Sequence, residues 1–126
     1  MPFVRIMTGD RYSEMQQKQI SDILHQALTE TFAVPAQDRF HFFECFAARD
    51  RYIDRYYLST GRTERAILFN IIAGKPRSNE QKAALYRQLA AQLNEKMGIE
   101  GGDVMVVIQF TAAEDWSFSG GKRYHP

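Results

Sequence analysis

Cysteine is almost missing from this chain: Cys45 stands alone in 126 residues. A single thiol excludes an internal disulfide and fits a reducing compartment, so a cytoplasmic protein is expected. Histidine is scarce as well. His25, His41 and His125 lie far apart with no paired spacing, which argues against a metal site. An excess of either charge is also missing. The chain has 16 basic and 15 acidic side chains, and the net charge of +1 gives no electrostatic case for nucleic acid or an anionic membrane. No apolar run approaches the roughly 20 residues that span a bilayer, and the N-terminal stretch lacks the basic-then-apolar pattern of a signal peptide. The chain does have apolar matter, 44% hydrophobic and 13% aromatic, which is enough for the core of one domain over 1–126.

That apolar matter is organised by an internal repeat. Shifted by 65 positions, residues 2–50 lie on 67–115 without a gap, and eleven positions are identical, among them Ser13/Ser78, Gln16/Gln81, Asp38/Asp103, Ala47/Ala112, Ala48/Ala113 and Asp50/Asp115. Both copies read S-x-x-Q, a capping box that starts a helix. Ile20, Ile23, Leu24, Ala27, Leu28 and Phe32 follow the first cap at helical spacing, and Leu85, Leu89, Leu93 and Met97 follow the second. Short apolar strands flank each helix: Phe3–Met7 and Arg39–Phe46, then Ile67–Ala73 and Val104–Phe110. Each copy is thus a βαβ unit with parallel strands and a right-handed crossover.

The expected fold is α/β, a four-stranded mixed sheet from the repeats 2–50 and 67–115, with two helices on one face. The strands "AILFNIIA" and "VMVVIQF" are apolar on both sides, and a strand of that kind expects cover on both. With no third helix, a second copy of the chain is the expected cover, and an obligate oligomer follows. The connector 51–66 lies in a stretch, "ARDRYIDRYYLSTGRTER", with five arginines against three acids and interleaved Tyr52, Tyr56 and Tyr57. That excess is too small to argue for RNA. The stretch reads as a loop or hairpin that helps build the subunit interface. Residues 116–126 form a tail.

Twofold-related units make strands 1 and 3 antiparallel. Pro2 then lies near the end of strand 3, which leads into Lys75-Pro76-Arg77, and Asp38 precedes strand 2 at the same edge. If Met1 is removed, the secondary amine of Pro2 joins a carboxylate and two cations at one rim. Pro76 keeps Lys75 extended, Ser78 starts a helix whose dipole favours an anion, and Arg77 can grip a carboxylate with two N–H groups. A small oxo-carboxylate suits such a clamp. At the opposite rim the equivalents are Ile67, Asp10 and Tyr12, which offer neither amine nor cation pair. Asp38 is less distinctive, because Asp103 matches it; the residues alone leave it between a turn-former and a catalytic carboxylate. His41, between Phe40, Phe42 and Phe43, reads as a satisfied, partly buried histidine, and Trp116 as a packing residue at the domain edge.

Taken together, Pro2, "VPAQDRF" (34–40), "KPRSNEQK" (75–82) and "GDVMVVIQF…EDWSFSGG" (102–121) resemble the tautomerase superfamily, in particular its malonate semialdehyde decarboxylase-like branch. The resemblance covers nearly the whole chain. It implies a homotrimer of duplicated βαβ subunits and cofactor-independent chemistry at an N-terminal proline. By position, Pro2 matches the catalytic proline and Asp38 the aspartate that assists it. Arg77 matches one of two carboxylate-binding arginines, with Lys75 where the decarboxylase has the other, and Trp116 and Phe118 match apolar pocket walls. Two departures weigh against decarboxylation: Lys75 replaces a planar fork with a compact ammonium, and the tail after Phe118 is short for a lid.

The residues leave the sign of the chemistry open. Burial and the two cations lower the pKa of the Pro2 amine and give a base, whereas Asp38 raises it and gives an acid. A base makes a 2-oxo-acid tautomerase, the reading the weakened clamp favours. An acid makes a decarboxylase of a 3-oxo acid. An oligomeric binding protein with a blocked N-terminus is the non-enzymatic alternative.

Overall fold

The computed structural model describes residues 2–126. Four strands, β1 (Pro2–Gly9), β2 (His41–Phe46), β3 (Ile67–Ala73) and β4 (Val104–Phe110), form one sheet in the order β2-β1-β3-β4. The outer pairs are parallel and the central pair β1–β3 is antiparallel, as two twofold-related βαβ units require. The crossovers are α1 (Glu14–Phe32) and α2 (Asn79–Met97).

Both capping boxes form. Gln16 N donates to Ser13 Oγ at 3.1 Å while Ser13 N donates to Gln16 Oε1 at 2.8 Å. Ser78 and Gln81 repeat the exchange at 3.1 and 2.9 Å. Each satisfies two backbone donors that a helix start otherwise leaves unpaired. The matched Ala-Ala-x-Asp segments also have a structural reason, since Ala48–Asp50 and Ala113–Asp115 both form a 3₁₀ turn behind the second strand of a unit.

α1 and α2 lie side by side on one face. Val4, Ile6, Ile67, Phe69 and Ile71 bury that face against Ile20, Leu24, Leu28, Leu85, Leu89 and Leu93 in a single core. The opposite face carries Phe3, Arg5 and Met7 of β1, Phe42 and Glu44 of β2, Leu68, Asn70 and Ile72 of β3, and Met105 and Val107 of β4, aligned by the strand register. Neither α1 nor α2 packs on it, and the connector residues Arg51, Tyr52 and Ile53 line a cavity with Met7 and Leu68 at one end of it. Arg5 crosses to Glu44 on this face at 2.5 Å, so its two charges are already paired.

Two boundaries depart from expectation. β1 is longer than Phe3–Met7, because its start pairs Pro2 with Ala73. β2 begins at His41 rather than Arg39. A turn in which Asp38 N donates to Pro35 O at 3.0 Å occupies the lead-in, although Phe40 O already accepts from Val4 N at 2.9 Å. The connector forms loops rather than a hairpin. Arg62 ties it together, donating from Nη1 to the carbonyls of Asp54 and Tyr57 at 2.9 and 2.6 Å.

Candidate active site

The sheet order sets which residues meet. The start of β1, the lead-in to β2 and the ends of β3 and β4 all lie at one rim, together with the C-terminus of α1 and the N-terminus of α2. Pro2 is buried in β1 opposite Ala73. Two residues past Ala73, Lys75 is exposed, and Arg77 is half-buried behind it. Asp38, partly buried, lies two residues before Phe40, whose carbonyl holds Val4 of β1. Met1, whose removal the Pro2 chemistry requires, lies outside the described residues.

Arg77 is held more firmly than a surface cation. Its Nη1 donates to Lys75 O at 2.6 Å, its Nη2 donates to Phe32 O at 2.9 Å, and its guanidinium lies 5.0 Å over the Phe32 ring. Phe32 O belongs to the last turn of α1, where carbonyls lack helical partners, so the arginine also closes that helix. Burial lowers the pKa of the guanidinium from its ordinary value, and the Asp38 carboxylate opposes that shift. The fork therefore presents its remaining N–H groups from a fixed orientation.

The wall of the rim is aromatic. Trp116 and Phe118 stack at 5.4 Å, and Phe118 meets Phe40 at 6.0 Å and Tyr124 edge-on at 5.4 Å. Trp116 is oriented through a short relay: its Nε1 donates to Thr111 Oγ1 at 2.7 Å, and Thr111 N donates to Ala73 O at 2.9 Å, beside Pro2. Phe40 and Phe118 remain 43% and 42% exposed, so an apolar surface faces outward at this rim.

The tail, short for a lid by its length, folds back on this wall. Gly120 and Gly121 both have positive φ, 66° and 70°, which makes a tight type I′ reversal between Ser119 and Lys122. Tyr124 N then donates to Trp116 O at 2.8 Å, placing the Tyr124 ring on Phe118. Phe40, Thr111 and Tyr124 were not singled out from the sequence; the Gly-Gly pair was the available signal for Tyr124.

The repeat separates the two aspartates. Asp103, 2% exposed, accepts from Thr63 N and Thr63 Oγ1, both at 2.6 Å, and so fastens the connector. Asp38 occupies the equivalent turn at the rim that carries Pro2. Tyr12, the counterpart of Arg77, is buried and donates from its hydroxyl to Arg65 O at 2.5 Å. The opposite rim thus spends its equivalents on the fold. Cavities of about 530 and 580 Å³ occur there, lined by connector residues such as Arg51, Arg55 and Arg62. His41 is satisfied on one side only. Its Nδ1 shares a hydrogen bond with Ser21 Oγ at 2.7 Å, but Nε2 is buried with no hydrogen-bond partner among the described residues.

Comparison with known proteins follows the same lines. A family model described as "Tautomerase enzyme" matches residues 38–119, more than half of the chain. "Probable tautomerase YusQ" of Bacillus subtilis (strain 168) is 32% identical over 122 residues, covering 97% of this chain and 96% of that protein. "Probable tautomerase YrdN" of the same organism is 30% identical, covering 97% and 94%. Among solved structures, malonate semialdehyde decarboxylase superposes with a TM-score of 0.90 at 29% identity, covering 96% of this chain and 93% of that one. A fused 4-OT superposes at 0.77 and 20% identity, covering 96% and 94%, and at that identity the likeness concerns the fold. The chain belongs to the tautomerase superfamily, as an enzyme of its malonate semialdehyde decarboxylase-like branch.

Proposed function

We propose that this enzyme moves a proton on a small oxo-carboxylate, interconverting the keto and enol forms of a 2-oxo acid with the amine of Pro2, freed by removal of Met1. The observation that carries the reading is the pairing of Pro2 with Ala73, which sets the amine at the mouth of the strand leading to Lys75 and Arg77. Arg77 receives the substrate carboxylate on its oriented fork, with Lys75 adding a point charge. Trp116 and Phe118, extended by Phe40 and Tyr124, exclude water from the reacting carbon. The neutral amine then takes a proton from the carbon next to the carbonyl. The electron pair of that C–H bond becomes the enolate, and the ammonium returns the proton to oxygen. Asp38 tunes the amine by favouring its charged form. No metal or cofactor is invoked.

Decarboxylation of a 3-oxo acid is the second reading, and the likeness to malonate semialdehyde decarboxylase at a TM-score of 0.90 favours it. In that case the amine is protonated and hydrogen-bonds the 3-oxo oxygen. The bond to the carboxylate breaks, carbon dioxide leaves, and the enol that remains takes up a proton at carbon. Membership of an enzyme family argues against the third reading, a binding protein without turnover.

We further propose that the working form is a homotrimer in which the open sheet face is covered by other copies. A fused 4-OT of the same fold is a symmetric trimer. No described helix is long and apolar enough to cross a membrane; a cytoplasmic location rests on the lone Cys45.

The test uses the chain with Met1 verifiably removed. Deuterium exchange at C3 of 2-oxobutanoate, followed by proton NMR, reads the tautomerase, and loss of malonate semialdehyde reads the decarboxylase. Faster exchange than decarboxylation supports the first reading and the reverse supports the second. Absence of both, with Pro2 free, overturns the proline mechanism.

A further inference from the structure

We infer that His25, in the middle of α1, is a positioning residue that fixes the turn carrying Asp38. This deepens the reading above, because it rests on Asp38 assisting Pro2.

His25 is 7% exposed, and its Nε2 donates to Ala36 O at 2.8 Å. A carbonyl can only accept, so the ring hydrogen sits on Nε2, and Nδ1 is buried with no hydrogen-bond partner among the described residues. Ala36 lies inside the turn closed by Asp38 N donating to Pro35 O at 3.0 Å. The ring is backed by His41 at 6.1 Å, edge-on, and beyond it by Ser21, which Arg39 also reaches from its ion pair with Asp22. The imidazole is thus a strut between the helix and the backbone two residues before the carboxylate.

The repeat shows that the turn itself does not need this strut. In the second unit Asp103 N donates to Glu100 O at 2.9 Å, closing the same turn, yet the residue at the place of His25 is Ala90. The second copy has no histidine pair either, since Val106 stands at the place of His41 and Tyr86 at that of Ser21. Asp103 is instead held through its own carboxylate by Thr63. The turn of Asp38 is held from behind through the backbone, and His25 supplies that hold only in the copy that faces Pro2. Burying an imidazole with one unpartnered nitrogen costs stability, which a turn-former that Ala90 shows to be dispensable does not justify.

The experiment compares His25→Ala, His25→Gln and Asp38→Asn in the full chain with Met1 removed. It reads nitrogen-15 NMR titration of the Pro2 amine and the exchange of 2-oxobutanoate. A loosened Asp38 should lower kcat by about 10-fold with KM within about 2-fold, since geometry rather than binding is lost. It should also lower the Pro2 pKa toward that of Asp38→Asn. Glutamine places an amide N–H near the position of Nε2, so His25→Gln should restore both within about 3-fold. Because alanine occupies this place in α2, His25→Ala is expected to fold, and its melting temperature checks that. The proposal is overturned if His25→Ala keeps the parent kcat and Pro2 titration while Asp38→Asn changes them, or if His25→Gln is as impaired as His25→Ala. If Asp38→Asn changes neither, the role of Asp38 itself fails and the strut has nothing to position.

Discussion

The Nη2 group of Arg77 donates to the carbonyl of Phe32 at 2.9 Å, and the guanidinium lies 5.0 Å over the ring of the same residue. One side chain from the start of α2 thereby closes the end of α1, and the two helices meet at the rim where Pro2 begins the sheet. The clamp proposed for the substrate carboxylate and a fastening of the fold are the same residue. Their contributions separate in the response to mutation.

Arg77→Ala should raise KM for a 2-oxo acid by about 10- to 100-fold, the loss of one charge-assisted pair. It should also lower unfolding free energy by about 1–2 kcal/mol, because the Phe32 carbonyl loses its donor. Steady-state kinetics and urea unfolding measure the two effects. A stability loss with an unchanged KM would assign Arg77 to the fold alone.

Lys75 makes no side-chain contact within the described residues that orients it, and it is exposed. Lys75→Ala should therefore cost less than Arg77→Ala. Lys75→Arg should increase the decarboxylation rate relative to tautomerisation, because a second planar fork restores two-point grip on a carboxylate. The ratio of the two activities in the same preparation is the measurement; a ratio that does not move removes the fork from the argument.

The parts of this site that were legible in the sequence are those set by short spacing. S-x-x-Q at Ser13 and Ser78 announced both helix starts, and the repeat placed Pro2, Asp38, Lys75 and Arg77 at one rim through the antiparallel pairing of β1 with β3. The illegible parts depend on long-range contact between unrelated stretches. Nothing near Arg77 indicates that its donor reaches a carbonyl 45 positions away. Thr111 gains its role from the Ala73 carbonyl and the Trp116 indole together. The fold-back of Tyr124 is written in Gly120-Gly121, whose left-handed backbone glycine adopts without strain, and not in the length of the tail. His25 was recoverable from its mismatch with Ala90, a difference between the copies rather than an identity.

His41 gives a pH dependence of stability. Burial, with Arg39 and His25 nearby, pushes its pKa down from 6.5 to about 4 despite Asp22 and Asp38. The folded chain keeps it neutral, whereas the unfolded chain binds a proton below about 6.5. Its contribution is therefore complete above pH 6.5 and is lost as pH falls toward 4, by on the order of 3 kcal/mol at full loss. His41→Gln should flatten that part of the curve in denaturant titrations between pH 7 and 4. A variant with the same slope as the parent would place the loss on other groups.

The open sheet face predicts assembly. Ile72→Glu puts a charge on β3 in register with Phe3, on the sheet face opposite the two helices. If other copies cover that face, the buried charge should dissociate the oligomer and lower thermal stability together. Sedimentation of both proteins at micromolar concentration tests this. A parent chain that sediments as a stable folded monomer would remove the basis for the trimer.

The strongest test concerns the opening residues. A small residue behind Met1 lets the methionine be trimmed, and trimming changes the chemistry of Pro2 outright. While Met1 is attached, the nitrogen of Pro2 is a tertiary amide, which neither accepts a proton at neutral pH nor carries a charge. Once Met1 is removed, the same atom is a secondary amine at the start of β1, where Pro2 pairs with Ala73. Turnover of an oxo acid should therefore track the fraction of chain found lighter by one methionine in mass spectrometry. Pro2→Ala should weaken turnover without abolishing it, since a trimmed alanine still offers a primary amine, less constrained than the ring. A preparation that verifiably retains Met1 yet turns over at the rate of the trimmed one would exclude Pro2 as the catalyst. The proton transfer would then have to be assigned to another group at this rim.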